Sequence, residues 1–157
     1  MPAVKERAMS DEWWVLVADG GSARCFATTR PGDELRELMD WVNPAARRSL
    51  HDLDRDARGR TLNRARGGGH DLEPPVDAHE KADSQFARRL AQHLDQAVTQ
   101  QQVRQLAIVA PPAFLGELRA ALSPQSRSRC ALEVPHDRVH HPVQEIRRCL
   151  RDALHPA

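Results

Sequence analysis

The sequence predicts a single α/β domain built on a mixed five-stranded sheet, and three observations carry that reading. Trp13 to Ala18 is a near-continuous apolar run closed by Asp19-Gly20-Gly21, the composition of a strand buried on both faces that runs into a tight turn. Phe86, Leu90, Leu94 and Val98 recur four apart among charged and amide residues, the stripe of an amphipathic helix. Beyond that helix, strand and helix signals alternate, which argues for parallel strands joined by right-handed crossovers.

Taken in order, Ser22 to Thr28 alternates and returns antiparallel to the first strand as a hairpin. Arg30-Pro31-Gly32-Asp33 is a turn signal, and Leu35 to Val42 fits a third strand or a short helix, with the strand favoured. Asn43-Pro44 is expected to end regular structure. From there the chain has little apolar periodicity and is punctuated by Gly59, Gly67, Gly68, Gly69, Pro74 and Pro75, so a long loop is expected over about 43–77. The amphipathic helix follows over 77–100. Leu106-Ala107-Ile108-Val109 is the core of the next strand, and Pro111-Pro112 opens a helix whose first turn needs no bonded amide. Phe114, Leu115, Leu118 and Leu122 form its apolar face. Cys130 to Val134 makes a short strand, and Val143, Ile146, Leu150 and Leu154 mark the face of a last helix. The expected order is β-β-β, long loop, α-β-α-β-α.

A chain of 157 residues is the size of one domain. The ordered part is expected over 13–154, with 1–12 a flexible N-terminus and 155–157 a tail. With 40% hydrophobic and 29% charged residues the composition is ordinary for a globular protein and excludes wholesale disorder. Cys25, Cys130 and Cys149 are odd in number and far apart, without the paired spacing of a zinc knuckle or redox motif, so reduced thiols are expected. No apolar run approaches the roughly 18 residues of a membrane span, and the first twelve residues lack the apolar core of a signal peptide. A cytoplasmic protein without membrane contact is expected.

The net charge of +1 conceals one basic segment, Arg47 to His70, where seven arginines face three aspartates. Arginine forks match phosphate oxygens, so such a segment suits a phosphate backbone. Gly67-Gly68-Gly69 permits close approach of main-chain amides to a ligand, although it is neither a Walker loop nor a dinucleotide fingerprint. The residues assigned to nucleic-acid contact are Arg58, Arg60, Arg64, Arg66, Gly67, Gly68, Gly69 and His70.

Other chemistry-bearing residues form no complete constellation. His136, His140 and His141 with Asp137, and His70, Asp71, His79 and Glu80, lack a recognised ligand spacing and read as exposed loop residues, so no metal or cofactor is expected. Ser22, Ser49, Ser84 and Cys25 lie in no nucleophile elbow, and Asp52, Asp54 and Asp56 are interleaved with arginines. No catalytic residue is assigned, and a non-enzyme is favoured. Ala110 to Arg119 sits where a strand meets a helix and reads as architectural, with Gly116 explained by close packing on the sheet.

Trp14 to Phe26 (WVLVADGGSARCF), Asn43-Pro44, Asp56 to Arg60, Gln85-Phe86-Ala87 and the run APPAFLGELR together resemble the bacterial host-attachment protein family over roughly 13–154. That family is similar to the central domain of archaeal and eukaryotic class-one peptide-chain release factors, which implies a mixed α/β domain. In those factors a Gly-Gly-Gln loop before a long helix enters the peptidyl-transferase centre. The resemblance implies that Gly67 and Gly68 take the glycine positions, with Gly69 where the glutamine would stand and His70 next. Loss of the glutamine that positions water implies binding without peptide release. The expected function is therefore a non-catalytic RNA- or ribosome-binding module. The alternatives are a protein-interaction factor in host attachment or surface physiology, and an ester hydrolase of the peptidyl-tRNA type with His70 or His79 as base.

Overall fold

A computed structural model describes residues 11–46 and 74–155, with side chains described from residue 80 in the second stretch. Strands β1 (Trp13–Ala18), β2 (Ser22–Thr28) and β3 (Arg36–Val42) are followed by helix α1 (Pro74–Thr99) and strand β4 (Gln105–Val109). Helices α2 (Pro112–Ala121) and α3 (Pro124–Arg129), strand β5 (Cys130–Val134) and helix α4 (Val143–Leu154) complete the order. The sheet runs β3-β2-β1-β4-β5. β1 to β2 and β2 to β3 are antiparallel, whereas β1 to β4 and β4 to β5 are parallel. The mixed five-stranded sheet expected from the sequence is thus the one observed, and Leu35 to Val42 resolves as a strand.

β1 lies at the centre, and Val15 to Ala18 are at most 1% exposed because both sheet faces are covered. Alternate residues serve opposite cores. Val15 and Val17 pack with Phe26, Val109, Val134 and the Ile146 and Leu150 of α4. Leu16 and Ala18 pack with Phe86, Leu90 and Leu94 of α1 and with Phe114 and Leu118 of α2. The four-apart stripe of α1 is buried along its length.

Four local details differ from expectation. α1 begins at Pro74, three residues early, because paired prolines are tolerated in a helical first turn. Pro44 to Ala46 have helical backbone, where Asn43-Pro44 was expected to end regular structure. The rest of the expected loop, 47–73, lies outside the described residues. α3 has no apolar periodicity to announce it. It is instead held by the Ser123 cap, whose hydroxyl accepts from the Ser126 amide at 3.1 Å, and by Asp95 of α1, which accepts from the Ser126 hydroxyl. Finally, Gly116 is not explained by close packing, since a Cβ there would meet nothing within 4 Å.

α1 ends in a left-handed residue, Gln101 at φ 60°, with Gln102 N–H donating to the Ala97 carbonyl and Gln101 N–H to that of Val98. This is a Schellman stop made without glycine. Further back on α1, His93 stacks on Trp14 at 5.8 Å between centroids and meets Trp41 edge-on at 5.1 Å. Its Nε2 is buried without a hydrogen-bond partner among the described residues, and burial holds the imidazole below its ordinary pKa of 6.5. No helix among the described residues is long and apolar enough to cross a membrane.

Two outcomes follow from these contacts. Gly116→Ala is expected to raise stability by about 0.5–1 kcal/mol, seen as a higher denaturant midpoint, because the site has room and the helix gains propensity. Because the native state binds the His93 proton more weakly than the unfolded chain does, stability is full above about pH 6.5 and declines as pH falls toward the lowered native value. His93→Phe, which keeps a ring between the two tryptophans, is expected to flatten that acid limb in unfolding curves measured from pH 5 to 8.

Candidate functional site

The three parallel strands β1, β4 and β5 end at one edge of the sheet, followed by Asp19-Gly20-Gly21, Ala110-Pro111-Pro112 and Pro135-His136. In open α/β sheets the crevice outside this carboxyl edge is where ligands bind. The β1–β2 turn is fixed by Asp19, whose Oδ1 accepts from the amides of Gly21 and Ser22, both at 2.8 Å. This is an Asx turn built on the side chain of the residue that ends the strand. Gly20 is required by proximity: a Cβ there would stand 2.3 Å from Asp83 Oδ1, so α1 passes directly over the turn.

Asn43, only 3% exposed, joins these pieces. Its backbone amide donates to the Gly21 carbonyl at 2.8 Å. Its side-chain amide donates to the Gly20 carbonyl at 3.0 Å and to the Ala82 carbonyl of α1 at 3.3 Å. Asn43 follows β3 directly, and Ala82 lies 39 positions further along the chain. One side chain therefore ties together the β1–β2 turn, the exit from β3 and the amino-terminal half of α1.

The eight residues assigned from the sequence, Arg58, Arg60, Arg64, Arg66, Gly67, Gly68, Gly69 and His70, all lie outside the described residues. The residues of the described junction, Asp19, Gly20, Asn43 and Asp83, were not singled out by sequence reasoning. Asp-Gly-Gly and Asn-Pro were visible only as turn and break signals.

The β5–α4 connection crosses the same edge. Arg24 of β2 donates to the carbonyls of Val139 at 3.3 Å and His141 at 2.9 Å, and it pairs with Glu37 at 3.3 Å. Its guanidinium also lies 5.0 Å from the centre of the Phe26 ring. His140 Nε2 stands 3.7 Å from Asp19 Oδ2, while His141 Nδ1 is 2.8 Å from Glu145 Oε2. The structure thus separates these two histidines onto different carboxylates. Among the described residues no group of three or more His, Cys, Asp or Glu is arranged to hold a metal ion.

Asp19, Ser22 and His140 do gather here, but they form no catalytic relay. The Ser22 hydroxyl is buried with no hydrogen-bond partner among the described residues, and Asp19 Oδ1 is taken by backbone amides. Burial pushes the Cys25 thiol up to about 12 and, with Glu133 adding to the effect of burial, that of Cys130 to about 11. Neither supplies a thiolate at neutral pH.

This architecture is that of a release-factor-like α/β domain. The chain is similar to the crystal structure of an archaeal translation termination factor, aRF1, with a TM-score of 0.51 and 8% sequence identity. The match takes in 98% of this chain and 41% of that one, so this chain spans well under half the length of the archaeal factor. The profile of the family described as "Protein required for attachment to host cells" matches residues 14–150, and the chain belongs to that family. No curated protein matches its sequence.

The junction at Asn43 can be checked by substitution. Asn43→Ala removes both side-chain hydrogen bonds from a buried position and is expected to cost about 1–3 kcal/mol in chemical unfolding. Gly20→Ala is expected to destabilise as well, because the new methyl meets Asp83. A surface change such as Gln125→Ala should leave the midpoint within about 0.5 kcal/mol.

Proposed function

We propose that this chain is a non-catalytic RNA- or ribosome-binding module that acts in the cytoplasm through its arginine- and glycine-rich segment. In this reading Arg58, Arg60, Arg64 and Arg66 contact phosphates, and Gly67, Gly68 and Gly69 give main-chain access beside His70. The single observation that supports it is the Asn43 junction, which ties the exit from β3, shortly before the most basic segment in sequence, to the turn at the carboxyl end of β1. Likeness to a translation termination factor supports a ribosomal partner, and Gly69 in place of the release-factor glutamine supports binding without hydrolysis.

The family description favours a second reading, a protein-interaction factor that influences attachment through a protein partner. Salt separates the two. If about four phosphates of a single-stranded RNA are neutralised, log affinity falls against log salt with a slope near about −2.8, measured by fluorescence anisotropy. Arg64→Ala with Arg66→Ala is expected to bring the slope to about −1.4. Affinity for RNA that is indifferent to both salt and these substitutions would refute the proposal.

A further inference from the structure

Away from the Asn43 junction, α4 and the β5–α4 connection enclose an open groove of about 560 Å³, within the size range of small-molecule sites. Val134 and Ala153 supply apolar surface. Arg138 lines the groove from the connection and Arg148 from the helix, so two arginines on separate elements border one space.

These two arginines differ from their neighbours in what they bind. Arg147 and Arg151 of α4 both donate to the Gly32 carbonyl, and Arg24 pairs with Glu37. By contrast, among the described residues Arg138 has only the adjacent Asp137 carbonyl at 3.1 Å, apart from the Cys149 thiol beside it, and no carboxylate. The Arg148 guanidinium has no hydrogen bond or ion pair among the described residues. Of the two carboxylates in the groove, Glu145 is held by His141, which leaves Asp152 as the acceptor without a hydrogen-bond partner among the described residues. His136 lines the same space with no side-chain partner among the described residues. Two arginines without a carboxylate partner among the described residues, beside an imidazole, suit a phosphate, which accepts several such donors at once. The remaining acceptor suits a hydroxyl or amino donor on the same ligand.

We propose that this groove binds the phosphate of a nucleotide-type ligand, with Arg138 and Arg148 on the phosphate oxygens and Asp152 accepting from a hydroxyl or amino group. The ligand is a free nucleotide or the phosphorylated end of an RNA strand. The proposal does not depend on the role given to the arginine- and glycine-rich segment.

The test is calorimetric titration of the full chain with adenosine monophosphate, adenosine and a short 5′-phosphorylated single-stranded RNA. Saturable binding of the monophosphate or the RNA is expected, with adenosine at least about tenfold weaker. Arg138→Ala with Arg148→Ala is expected to lose about tenfold or more, and Arg148→Ala alone, an exposed change that spares the fold, most of that. Arg64→Ala with Arg66→Ala should leave monophosphate binding unchanged. Tighter binding of the monophosphate assigns the free nucleotide, and tighter binding of the RNA assigns the strand end. The proposal is overturned if neither ligand saturates, or if affinity is the same in the Arg148→Ala protein. RNA binding that needs Arg64 and Arg66 but not Arg148 would remove the groove and leave the segment's role intact.

Discussion

β1 has no solvent face: Val15 and Val17 lie under α4, while Leu16 and Ala18 lie under α1 and α2. A strand covered on both sides satisfies its backbone only by pairing along both edges, and β2 and β4 provide those ladders. The position of β1 then fixes where its carboxyl end, Asp19-Gly20-Gly21, emerges. That turn is the anchor to which the rest of the candidate site is attached.

The attachment is polar and buried. Asn43 spends its backbone amide and both described side-chain bonds on the turn and on α1. Inside a protein such bonds define one arrangement, because an amide left without partners there costs more than a bond gains in water. The absence of a Cβ at Gly20 lets α1 close over the turn, so steric fit and hydrogen bonding agree on the same geometry.

Much of the fold was legible because it is written in local periodicity. The apolar run of β1 from Trp14 on and the stripe of α1 bury the residues that their spacing selects, and the face of α4 buries Ile146 and Leu150 while Val143 and Leu154 at its ends are half-buried. β3 was ambiguous for a physical reason. Its pairing with β2 shifts register between Cys25 and Phe26, so Cys25 faces Met39 and Phe26 faces Glu37, leaving Leu38 as the extra residue. That bulge breaks the two-residue alternation on which strand recognition rests. α3 was missed because a serine cap and an aspartate from another helix hold it, not an apolar face. Asn43 and the placement of Arg138 and Arg148 on one groove were not legible, since each depends on residues distant in sequence or on another element. Gly116 was misread because a glycine in a helix suggests a close neighbour, and here there is none.

The most direct test of the account is sedimentation of native lysate containing the full chain, run at low salt with and without nuclease and again at high salt. A ribosome- or RNA-binding module held at this edge predicts that the chain travels with the ribosomal or RNA fractions at low salt. It also predicts that nuclease or high salt returns the chain to the top of the gradient. A chain that stays at the top throughout, or that remains in one protein complex after nuclease and high salt alike, would contradict it.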